Sequence, residues 1–124
     1  MANILIMADR PEYEAALPKG HKIFSFTDQA SALDCARSQK LDLALVQADL
    51  PAGLEVLKEL RQANPEVRVL TVMDAPSLPR LREAVNLGVQ EILFTPLDRE
   101  ELEAKITKVA KTAKRNLKEA LALQ

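Results

Sequence analysis

Five times along the chain a short apolar run gives way to an amphipathic segment, and this alternation restricts the fold more than any other feature. Runs apolar throughout suit strands buried on both faces, and helical crossovers let such strands lie parallel. The pattern therefore builds an α/β domain, a doubly wound parallel sheet with helices on both sides. The strand candidates are Ile4 to Met7, Lys22 to Phe26, Leu43 to Val46, Val67 to Val72 and Glu91 to Phe94. Only the second alternates polar with apolar residues, which places it at an edge of the sheet.

Helix signals fill the gaps. Thr27 or Asp28 caps a segment with Ala32, Leu33 and Ala36 inward, and Leu54, Leu57 and Leu60 mark another, stopped by Asn64-Pro65. A fourth helix runs from about Ser77 to Leu87 with Leu81, Ala84 and Val85 inward, and Gly88 supplies its left-handed stop. Asp98 with Glu101 forms a capping box for a fifth, which continues over about 99–123. The first helix is short, Glu12 to Leu17, because Pro18 and Gly20 interrupt it.

A chain of 124 residues without repeats or a Ser/Gly-rich linker reads as a single domain over 1–124. Its net charge of −1 provides no field to hold a nucleic acid or an anionic membrane. The first residues turn polar at Asp9, too soon for a signal peptide or a membrane span, and the lone Cys35 allows no internal disulfide, so a cytoplasmic protein is expected. Gly20, Gly53 and Gly88 stand too far apart to make a phosphate loop. One histidine, His21, and one cysteine cannot build a zinc site, and nothing ties Ser25, Ser31, Ser38 or Ser77 to that histidine in a triad. The residues thus point to no cofactor, no metal and no catalysis.

Ile4-Leu5-Ile6-Met7-Ala8-Asp9-Arg10-Pro11 is similar to the first strand and acidic pocket of response-regulator receiver domains. Asp42-Leu43-Ala44-Leu45-Val46-Gln47-Ala48-Asp49-Leu50-Pro51 resembles their third strand and its loop, and Leu54-Glu55-Val56-Leu57 the helix after it. Leu93-Phe94-Thr95-Pro96-Leu97-Asp98 resembles the closing strand and loop. The resemblance spans about residues 3 to 110, with shortenings at the first helix and at Pro51-Ala52-Gly53. It implies a five-stranded flavodoxin-like sheet in order 2-1-3-4-5, a former active site at the carboxyl ends of the strands, and a cis Thr95-Pro96 bond.

Receiver chemistry uses paired carboxylates for a divalent cation, an acceptor aspartate at the end of the third strand, and a hydroxyl and a lysine for the phosphoryl oxygens. The resemblance puts Ala8 and Asp9 at the acidic pair, leaving one carboxylate where magnesium prefers two. The acceptor position holds Gln47, whose amide cannot form an acyl phosphate. Met73 stands at the hydroxyl position, Thr95 at the lysine position, and Ile92 where an aromatic residue would report phosphorylation. A degenerate pseudo-receiver is implied, a phosphorylation-independent protein-interaction module of a signalling pathway.

Two alternatives stay open. A displaced aspartate, Asp49 or Asp9, could accept phosphate, although both read first as polar loop residues, as does Asp74; and the crevice could take a small ligand. The expected partner is a protein. Leu81, Val85, Ile92, Leu117 and Leu121 are the candidate interaction surface, and a homodimer through the fourth and fifth helices is one form of it. Lys105, Lys108, Lys111, Lys114, Arg115 and Lys118 give the last helix a basic side, which reads as a solvated face.

Overall fold

The computed structural model describes residues 3–17, 19–49, 53–74 and 78–111, the side chains of 110 and 111 excepted. The elements follow in the order β1 (Asn3–Met7), α1 (Pro11–Ala15), β2 (Lys22–Phe26), α2 (Gln29–Ser38), β3 (Leu43–Gln47), α3 (Gly53–Ala63), β4 (Arg68–Met73), α4 (Leu78–Asn86), β5 (Glu91–Phe94) and α5 (Arg99–Lys111). All neighbouring strands pair parallel in the order β2-β1-β3-β4-β5, which is the doubly wound topology expected.

Successive side chains of a strand point to opposite faces, so the apolar runs feed two cores at once. Leu5, Met7, Ala44, Val46, Val69 and Met73 face the helices α2, α3 and α4, which contribute Ala32, Ala36, Val56, Leu57, Leu60 and Ala84. On the other face Ile4, Ile6, Leu45, Leu70 and Val72 meet Tyr13 of α1 and Leu102, Ile106 and Val109 of α5. Burying each such leucine or isoleucine contributes roughly 1.5 to 3 kcal/mol. The edge strand β2 differs as its sequence implied: Lys22 and Ser25 are exposed, and Ile23, Phe24 and Phe26 are half-buried.

The helix ends are closed by named groups. Asp28 accepts the Ser31 N–H at 2.8 Å, and Asp98 accepts the Glu101 N–H at 2.7 Å, which is the aspartate half of the capping box expected there. Gly88 ends α4 with φ 84°, a left-handed conformation that glycine adopts without a Cβ clash. The Thr95-Pro96 bond is cis. Asn64 does more than precede a proline: its Nδ2 donates to the Ala36 carbonyl at 2.7 Å and its Oδ1 accepts the Leu41 N–H at 2.9 Å, both buried. Arg61 donates to the carbonyls of Val67 and, at 3.0 Å, Gly88, so α3 holds the far ends of β4 and α4.

The expected inward face of α4 needs adjusting. Of the three α4 residues expected inward, only Ala84 is fully buried, while Leu81 and Val85 are half-exposed. α5 is described to Lys111, and its expected continuation to Leu123, with Leu117 and Leu121, lies outside the described residues. Lys105 and Lys108 approach Glu91 of β5 at 3.9 and 3.5 Å, so this part of the basic side is ion-paired rather than simply solvated. Among the described residues no helix is long and apolar enough to cross a membrane.

Candidate functional site

Parallel strands deliver their carboxyl ends to one side of the sheet, and the loops leaving β1, β3, β4 and β5 meet there. Gln47, the last residue of β3, is 3% exposed, and its amide oxygen accepts the Asp9 N–H at 3.1 Å. Asp49, two residues on, uses both carboxylate oxygens: Oδ2 accepts the Asp74 N–H and Oδ1 accepts from Arg80 Nη1 at 2.8 Å. Asp74 Oδ1 in turn accepts from Thr95 Oγ1 at 2.9 Å and from Arg10 Nη2 at 3.3 Å. Two guanidinium groups, Arg10 and Arg80, therefore stand among the carboxylates of Asp49 and Asp74.

Of the residues that sequence placed in the site, Asp9, Gln47, Asp49, Asp74 and Thr95 come together in this network. Ala8 and Met73 do not add polar groups to it. Ala8 packs against the core under α1 and α5, and Met73 is fully buried in the opposite core. Asp49 and Asp74 are not the merely solvated loop carboxylates that sequence suggested, since each is tied to another loop. Arg10 and Arg80 were missed. Arg10 stands beside Asp9 in the matching segment, a signal that could have been used, whereas nothing in the spacing of α4 marks Arg80.

A divalent cation, which the resemblance would place here, does not fit these side chains. Ala8 contributes no ligand, and the Asp49 and Asp74 carboxylates are already matched by guanidinium groups. Among the described residues no group of three or more His, Cys, Asp and Glu side chains could hold a metal ion. Beside the network a cavity of about 220 Å³ opens between the ends of β1 and β2, lined by Ile6, Asp9, Arg10, Glu14, Ser25 and Thr27. Tyr13 is buried in the core with Ile6, and burial pushes its phenol up from the ordinary value, with Arg10 opposing that shift.

The candidate interaction surface divides. Leu81 and Val85 are half-exposed on α4, next to Leu78, which is 57% exposed. Ile92 is half-buried and packs against the core beneath α2, α3 and α4, so it belongs more to that core than to the surface where sequence had put it. Phe94, at the end of β5, is 40% exposed instead.

Comparison with known proteins agrees with this geometry. Residues 6–107 match the family described as response regulator receiver domain. Sporulation initiation phosphotransferase F of Bacillus subtilis is 25% identical over 92 residues, covering 73% of this chain and 74% of that protein. Transcriptional regulatory protein ZraR of Escherichia coli is 30% identical over 91 residues, covering 72% of this chain but 21% of that protein, so the chain corresponds to about a fifth of ZraR's length. Among solved structures, a CheY-like receiver domain protein from Methanospirillum hungatei superposes with a TM-score of 0.79 at 22% identity, over 87% of this chain and 92% of the other. A response regulator from Thermotoga maritima gives 0.76 at 16% identity, over 90% and 99% of the two chains.

Proposed function

Because the chain belongs to the response regulator receiver domain family, whose members are modules of two-component signalling, we propose that it signals by binding a protein partner without being phosphorylated. The observation that carries this reading is Gln47. It occupies the buried end of β3, where the family resemblance puts the acceptor, and its amide is neither a nucleophile nor able to carry an acyl phosphate. The supporting positions agree. Ala8 leaves one carboxylate of the acidic pair, Met73 offers no hydroxyl and Thr95 no charge. The displaced candidate Asp49 has both oxygens engaged, by the Asp74 N–H and by Arg80, which lowers its availability as a nucleophile. The partner surface we assign is the apolar side of α4, with Leu81 and Val85, together with Leu117 and Leu121 beyond the described part of α5.

The test is treatment of the purified chain with acetyl phosphate and magnesium, and separately with beryllofluoride and magnesium. The expected result is an unchanged intact mass and an unchanged backbone NMR spectrum. A stoichiometric phosphoaspartate at Asp49 or Asp9 would overturn the reading.

A further inference from the structure

We propose that the ion pairs at the carboxyl ends of the strands form a clamp that fixes the first turn of α4, so that its exposed face is presented in one position without a covalent signal. The inference rests on the reading of the pocket as unphosphorylated and assigns to the residues now there a task of their own.

The connections are continuous. Arg10 and Thr95 hold the Asp74 carboxylate, the Asp74 N–H is held by Asp49, and Asp49 holds Arg80 at 2.8 Å. Residues following β1, β3, β4 and β5 are thereby joined to α4. Asp49 is the pivot. Its side chain is only 16% exposed against 44% for Arg80, so swinging Arg80 away leaves a shielded carboxylate without its counter-charge, and the paired arrangement is favoured.

α4 depends on such a contact more than its neighbour does. α3 buries Val56, Leu57 and Leu60 completely, whereas Ala84 is the one fully buried residue of α4, and a single methyl group anchors a helix weakly. Both ends of α4 are instead attached by arginines: Arg80 near its start to Asp49, and Arg61 of α3 to the Gly88 carbonyl just past its end. The apolar residues Leu81 and Val85 lie between these attachments, and Leu78 lies just before the first.

The experiment is hydrogen exchange read by NMR on the full chain and on Asp49→Asn, Arg80→Gln and the double variant. Asparagine can still accept the Asp74 N–H, so Asp49→Asn removes the charge and leaves the loop bond possible. The amides of Arg82 to Asn86, whose helical acceptors lie in the first turns of α4, should exchange about threefold to tenfold faster in each single variant. The double variant should be no faster than the quicker single one, since both lose the same contact. Strand amides of Leu5, Leu45 and Leu70 serve as the reference for intact folding. A second measurement uses the unaltered chain: raising salt from about 0.1 to about 1 M, which shortens the screening length from about 10 to about 3 Å, should quicken the same α4 amides relative to the strands. Unchanged exchange in the single variants, multiplied effects in the double variant, or no response to salt would each overturn the clamp. Those outcomes in a chain that stays unphosphorylated remove the clamp alone, whereas phosphoryl uptake with coupled exchange removes the unphosphorylated reading instead.

Discussion

Asn64 closes two main-chain groups with one side chain, donating to the Ala36 carbonyl and accepting the Leu41 N–H inside the protein. Replacing it by alanine leaves both groups unpaired, and a buried orphan costs about 1 to 3 kcal/mol. Asn64→Ala is therefore expected to lower unfolding stability by about 2 to 4 kcal/mol in urea titration, and a loss within error of zero would show that water takes over both bonds. Asn64→Asp keeps the acceptor for Leu41 and loses the donor to Ala36, so it should also destabilise. The sequence announced a helix stop at Asn64-Pro65 but not this bridge. Two partners 23 and 28 residues away leave no periodic trace. The same holds for the pair of Arg80 and Asp49, 31 residues apart, whereas Gln47, Asp9 and Thr95 were legible because the family resemblance carries site positions onto residues at or just past the ends of β3, β1 and β5.

At the scale of elements, two helix starts show how local chemistry sets position. Gly53 begins α3 so close to the end of β3 that a Cβ there would stand 2.8 Å from the Ala48 carbonyl oxygen and 2.9 Å from that of Gln47. Both are backbone atoms that cannot rotate aside. Gly53→Ala should push α3 off the sheet at a cost of about 1 to 3 kcal/mol, the range of overpacked cores, read as a lower urea midpoint. A midpoint matching the unaltered chain would show that the loop absorbs the shift. At α2 the Ser31 backbone N–H, with help from its hydroxyl, holds the Asp28 carboxyl below its ordinary value. A depressed carboxyl stabilises the fold above the unfolded value, about 3.9, and loses that contribution as pH falls through the folded one. Asp28→Asn should thus flatten the acid limb of stability against pH, and an unchanged acid limb would assign that dependence to other carboxyls. The strands themselves were the most legible elements: β2 and β5 have the bounds that the sequence suggested, β1 and β3 differ by a residue at one end, and β4 by a residue at each end. α1 is shorter than expected, five residues, because the helix closes at Ala15 before Leu17 is reached. Pattern placed α4 but misjudged Leu81 and Val85, since three apolar residues at helical spacing describe a face without saying whether anything covers it.

For the whole molecule that face of α4 calls for a second apolar surface. Leu78, Leu81 and Val85 fall at three- and four-residue spacing along one side of α4, with Leu78 57% exposed. Single exposed leucines are ordinary, but a row of them at the site of a fixed helix favours contact with another apolar surface. A standard protein interface removes about 800 Å² from each partner, more than three side chains along about two turns of one helix can supply. The contact must therefore recruit further residues, and Leu117 with Leu121, four residues apart in the sequence after Lys111, are an apolar pair that can join it. A net charge of −1 opposes self-association only weakly. We accordingly expect a homodimer through α4 and the end of the chain, detectable by sedimentation equilibrium at micromolar concentration, and a monomer when the chain is cut after Ala113. Leu81→Glu should dissociate the dimer without unfolding it, because a half-exposed position tolerates charge in the free protomer but not between two apolar faces. A monomer with and without residues 114–124 would remove the dimer and leave a different protein as the partner of α4.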